Sequence, residues 1–188
     1  AFAAEASLIN AFNYVGDAVL TNIVAGHHSA EALSVDEYER INGAAPLEDK
    51  DIRHKILVIK INRLCQRGMD YKVLYDAVRG VWRTSKEKVR TVEYVFGVYN
   101  SLIVAVYKPS EWFVCKEAKD RLPRQDIVLT PKTENRLFFV DERYEQGFPP
   151  DENESFCIGK SIAGLKLNQS AQNPITYLYP PEKDKIHI

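Results

Sequence analysis

Val95-Phe96-Gly97-Val98-Tyr99-Asn100-Ser101-Leu102-Ile103-Val104-Ala105-Val106 reads as two apolar arms that meet at an Asn-Ser pair. Such a pair tolerates the positive φ of a tight two-residue turn, so the stretch predicts a β-hairpin with Asn100-Ser101 at its tip. Upstream, Lys55-Ile56-Leu57-Val58-Ile59-Lys60-Ile61 is β-branched and mostly apolar, which predicts a strand buried on at least one face. Between the two, Asp70 is placed to cap a helix. Val73, Ala77 and Val81, with Leu74 and Val78, form its apolar side, and Lys72, Arg79 and Arg83 project elsewhere. A second helix is expected from Ser85 to about Tyr94. Downstream, a long loop containing Pro109, Pro123 and Pro131 leads to an apolar strand from Arg136 to Val140. Ile158, Ile162 and Leu165 then mark a short helix, and Ile175 to Tyr179 a last strand.

The net charge of −1 conceals a segregation along the chain. Residues 1–51 carry 2 basic and 9 acidic side chains, residues 52–90 carry 11 and 3, and residues 91–188 carry 12 and 14. The middle is therefore +8 between flanks of −7 and −2. Such a block has the form of a phosphate-backbone footprint, and equally of a solvated face or a partner for the acidic flanks. At 45% hydrophobic and 27% charged, the chain has the composition of a globular protein able to bury a core. The longest apolar stretch, Leu102 to Tyr107, is far too short to span a bilayer, so no membrane partner is expected. Cys65, Cys115 and Cys157 are scattered without a Cys-x-x-Cys pair, which points to reduced thiols and a cytoplasmic location.

Toward the N-terminus, Phe2, Glu5, Ile9 and Phe12 share one helical face, so a carboxylate sits in an apolar stripe. A cation, a metal or a cleft must receive it. No capping residue or strand precedes Ala1, and the chain reads as the tail of something longer. Leu20 to Val24 reads as a brief strand or turn, and Ser34 with Glu37 makes a capping-box signature for a helix ending near Asn42-Gly43. Residues 44–54, with Pro46 and several charges, read as a linker.

Three apparent motifs carry little. Gly159-Lys160-Ser161 imitates the end of a P-loop, but Glu154 stands where the upstream glycine belongs. His27-His28 lacks companion ligands at metal spacing. No serine or cysteine has a nucleophile's strand-turn-helix setting.

Phe2-Ala3-Ala4-Glu5-Ala6-Ser7-Leu8-Ile9, followed by Leu20-Thr21-Asn22-Ile23-Val24-Ala25-Gly26-His27, resembles the end of a GIY-YIG nuclease domain of the subgroup found with LEM-domain nucleases. The resemblance implies that Glu5 is a catalytic residue holding one divalent metal, Mg or Mn in a complete parent, and that Asn22 closes the site. The family's tyrosine-bearing strands and catalytic arginine would lie before Ala1, so this chain alone is expected to be inactive. Gly97-Val98-Tyr99 and Cys157-Ile158-Gly159 mimic the family's triplets in the wrong order and spacing. They are read as a hairpin arm and the start of a helix.

Residues 55–179 also resemble the accessory domain that often follows this nuclease remnant. The similarity lies in Ile59-Lys60-Ile61-Asn62-Arg63, Leu74 to Arg83, Val98-Tyr99-Asn100, Trp112, Ile158-Gly159-Lys160-Ser161 and Gln172-Asn173-Pro174-Ile175. It implies a shared fold and no assigned chemistry. The expected organisation is a nuclease remnant over 1–43, a linker over 44–54, an accessory domain over 55–179 and a charged tail over 180–188. The expected fold is α+β, a short helical remnant followed by a small mixed β-barrel or sheet with flanking helices, PUA-like by fold analogy. Arg63, Arg67, Lys72, Arg79, Trp82, Arg83, Lys86 and Trp112 are the candidate nucleic-acid-binding residues, with DNA ahead of RNA as partner. Trp82 and Trp112 are read as stacking platforms in a basic groove, against the plainer reading of Trp82 near Val78 and Val81 as core and of Trp112 as closing the barrel. The alternative is a non-catalytic module that docks the 52–90 segment onto an acidic protein surface.

Overall fold

The computed structural model describes residues 35–62, 64, 69–165, 167 and 174–181. The expectations for Glu5, Asn22, Arg63, Arg67, the segment from Leu20 to Val24 and the Ser34 cap lie outside these residues. The chain divides into two compact units, Ala1–Gly43 and Ala44–Ile188. In the first, helix α1 (Val35–Asn42) ends where Asn42-Gly43 predicts. All elements named below belong to the second.

Strand β1 (Ile56–Lys60) pairs in parallel with β2 (Tyr94–Tyr99), which turns at Asn100-Ser101 into antiparallel β3 (Leu102–Tyr107). The turn residues have φ of 46° and 66°, as the hairpin reading requires. Strand β6 (Ile175–Leu178) lies antiparallel on the other side of β1, giving the order β3-β2-β1-β6. A parallel pair needs a crossover, here helices α2 (Tyr71–Arg79) and α3 (Lys86–Val89). Asp70 caps α2, its Oδ1 accepting the Lys72 N–H at 2.8 Å. Helix α3 is shorter than expected, because from Tyr94 the chain is already committed to β2.

Successive residues of β1 face opposite sides. Ile56 and Val58 join Leu47, Ile52, Phe96, Cys157 and Ile162, whereas Leu57 and Ile59 join Tyr75, Val78, Val95 and Phe139. Both faces are covered, so Ile56 to Ile59 are all buried and the strand reads as a continuous apolar run.

A second antiparallel sheet holds β4 (Glu111–Val114) and β5 (Leu137–Val140), with Glu111 opposite Val140. Strand β4 falls inside the expected long loop; its four residues run from exposed to buried and give no alternation to detect. The fold is α+β, and among the described residues the two sheets do not close into a barrel. The linker reading of 44–54 also changes: Leu47 and Ile52 are core residues, and Asp49–Asp51 form a 3-10 turn. After the short helix α4 (Glu142–Glu145), helix α5 (Glu152–Cys157) begins at an Asp151 capping box. Cys157 therefore ends a helix instead of starting one, with Gly159 at φ 85° just beyond.

Candidate functional site

Helix α3 is set by its cap. Ser85 Oγ accepts the Lys88 N–H at 3.4 Å, and Val89 is buried against Val114 and Leu137. Anchoring Val89 leaves Lys86, Glu87 and Arg90 on the exposed side. Across from them stand Ser110 and the β4 residues Glu111 and Trp112, and the two groups line a hollow of about 460 Å³. Lys86 and Trp112, both singled out in the sequence, thus meet although they belong to different elements. Arg90 belongs to the basic block over 52–90, whereas Glu87 and Ser110 carry no signal in the sequence and are identified only by their place in the hollow.

Trp112 is half-buried and packs on Phe139 with ring centroids 5.2 Å apart. Its Nε1 is buried and has no hydrogen-bond partner among the described residues. Lys86 reaches Glu117 at 3.2 Å, both side chains more than half exposed. An exposed pair of this kind contributes little, and a phosphate can replace the carboxylate.

The other candidates separate. Lys72 and Arg83 are exposed. Arg79 is not offered to a ligand. Its Nε meets Asp76 Oδ1 at 2.8 Å, its Nη1 lies 3.7 Å from Glu145, and its guanidinium covers the Tyr75 ring at 4.9 Å. Trp82 takes the core role: its Nε1 donates to the Val78 carbonyl at 2.8 Å, and its backbone bridges Leu137.

No family model, curated protein or solved structure matches the chain. Among the described residues no group of three His, Cys, Asp or Glu side chains is placed to hold a metal ion, and Glu5, the expected ligand of Mg or Mn, lies outside them. No described helix is long and apolar enough to cross a membrane.

Proposed function

We propose that residues 44–181 form a nucleic-acid-binding domain that serves a GIY-YIG-type, metal-dependent endonuclease. In that reading Glu5 and Asn22 belong to the nuclease site, and Mg²⁺ or Mn²⁺ is held at Glu5. One observation carries the binding role: Lys86 and Arg90 stand on one wall of a hollow whose other wall is Trp112. Cations hold a phosphate backbone, an indole offers a face to a base, and the pairing suits single-stranded or distorted strands. The carboxylates of Glu87 and Glu111 supply acceptors for base amino groups.

The test is fluorescence anisotropy of labelled single-stranded DNA and RNA with the full chain. Binding should saturate at a defined nucleotide length and weaken steeply with salt. Lys86→Glu with Arg90→Glu should lower affinity by about tenfold or more and reduce the salt slope by about 2. Absence of oligonucleotide binding, or an unaffected double variant, would overturn this reading. In the first case the basic segment is better explained as a dock for an acidic protein surface.

A further inference from the structure

A second hollow, of about 350 Å³, lies behind the β5–α4 junction. It is walled by Tyr107, Tyr144 and Phe148 and floored by two buried carboxylates, Asp141 and Glu154, with Arg143 beside them. Its volume is within the range of small-ligand sites, and its composition, mostly apolar with a few convergent polar groups, is theirs as well.

The walls are held in place by contacts that have no bearing on the core alone. The Tyr144 hydroxyl donates to the Tyr71 carbonyl at 2.9 Å, and Arg143 Nη2 donates to the Pro149 carbonyl at 3.0 Å. The Phe148 N–H returns to the Arg143 carbonyl at 2.9 Å, with Gly147 at φ 78° making the reversal. Phe148 nevertheless remains 58% exposed and Tyr71 80% exposed at the rim. Tyr107 and Tyr144 meet at 85° with centroids 5.3 Å apart, forming an aromatic corner.

The polar groups specify the occupant. Tyr107 is only 5% exposed and lines the hollow. Asp141 accepts the Lys108 N–H on one oxygen and the Tyr144 N–H on the other, at 2.8 and 3.1 Å. A carboxylate has about four acceptor positions, so capacity remains. Glu154 Oε2 accepts the Asp151 N–H and faces Arg143 at 3.4 Å. Arg143 Nη1, 3.4 Å from both Glu154 Oε2 and Asp151 Oδ2, offsets part of the negative charge, and the carboxylates accept from a donor and repel a phosphate. A planar ring with an N–H edge fits these conditions.

The Lys108–Glu111 segment joins the two hollows. Lys108 donates to Asp141 in this one, while Ser110 and Glu111 line the other; the Ser110 hydroxyl also accepts the Glu142 N–H at 3.0 Å.

We infer that the hollow lined by Tyr107, Tyr144 and Phe148 over Asp141 and Glu154 receives a single everted nucleobase carrying an exocyclic amino group. This rests on the nucleic-acid reading above. The base stacks on the aromatic wall, and its amino group donates to the carboxylate floor.

The experiment compares binding of the full chain to an all-thymine DNA strand and to the same strand with one central adenine or cytosine. The amino-bearing strands should bind about tenfold tighter, one good hydrogen bond being of that order. Phe148→Ala, at an exposed position, and Tyr107→Phe, which removes only a hydroxyl, should each reduce this preference. Equal binding of all strands, or a preference untouched by both variants, overturns the base pocket alone. No binding to any strand overturns both this inference and the nucleic-acid reading. Competition by tetramethylammonium but not by adenosine or cytidine would mean that the hollow is a cation cage, which also overturns it.

Discussion

Gly97 of β2 and Val78 of α2 touch so closely that a Cβ at Gly97 would lie 2.5 Å from Val78 Cγ2. The crossover helix thus seats directly on sheet backbone. A β-branched side chain has one favoured rotamer in a helix and cannot swing aside cheaply.

Gly97→Ala is therefore expected to destabilise the domain by about 1 to 3 kcal/mol through overpacking. Urea denaturation measures it. Combining it with Val78→Ala should restore part of the loss relative to the sum of the single variants, since the clash needs both groups. Strict additivity would place the strain elsewhere.

Arg79 separates stability from binding. Its ion pair with Glu145 ties α2 to α4, while the pair with Asp76 and its place over Tyr75 hold the guanidinium against its own helix. Arg79→Ala should cost about 1 kcal/mol, the Glu145 arm being solvated, while affinity for oligonucleotides stays at the wild-type value. A stable variant with weakened binding would return Arg79 to the interface.

Two neighbouring carboxyls give opposite pH dependences. Burial raises the Glu154 carboxyl, although the Asp151 N–H opposes the shift. For Asp151, burial also pushes upward, but the Glu154 N–H, the Tyr94 hydroxyl and Arg143 together hold it below its ordinary value. The folded state thus binds the Glu154 proton more tightly than the unfolded chain does. That contribution to stability is lost as pH rises from about 4.3, the ordinary glutamate value, through the raised native one. The Asp151 contribution is present above its unfolded value and is lost as pH falls through its lowered native value. In melting curves from pH 4 to 8, the Tm of Glu154→Gln relative to wild type should climb with pH. A constant difference would mean that the Glu154 carboxyl is not raised.

The thiols offer a simple check of burial. Burial pushes Cys157 up to about 11, with Lys160 opposing, and also raises Cys115. Neither should react with iodoacetamide at pH 7.5 until the domain unfolds, since the thiolate is the nucleophile. Mass spectrometry of the alkylated native chain reads this directly. Modification of either in the folded state would contradict the packing around Leu47 or Phe138.

The elements read correctly from the sequence are those whose bonds close locally. The Asn100-Ser101 turn, the Asp70 cap and the β1 and β5 apolar runs each depend on a few consecutive side chains. Strand β4 was missed for the same reason: its identity comes from pairing with β5 across the loop and not from its own four residues. Leu47 and Ile52 were hidden by the charged residues around them, which keep their heads in solvent while the two apolar side chains turn inward. Of the site, the basic block and Trp112 were legible. Which cations remain free was not, because an α2 arginine and its α4 carboxylate look independent along the chain.

By itself, then, the sequence determined an α+β domain, its hairpin, its Asp70 cap and a concentration of positive charge over residues 52–90. Only the tertiary structure decided that Arg79 is consumed in ion pairs while Lys86 and Arg90 face Trp112, and that Tyr107 and Tyr144 close over Asp141. Turns and caps are fixed by bonds spanning two to four residues. A contact such as the Asp141 N–H on the Tyr75 hydroxyl, 2.7 Å long and 66 residues apart in sequence, exists only once the whole sheet has placed both ends.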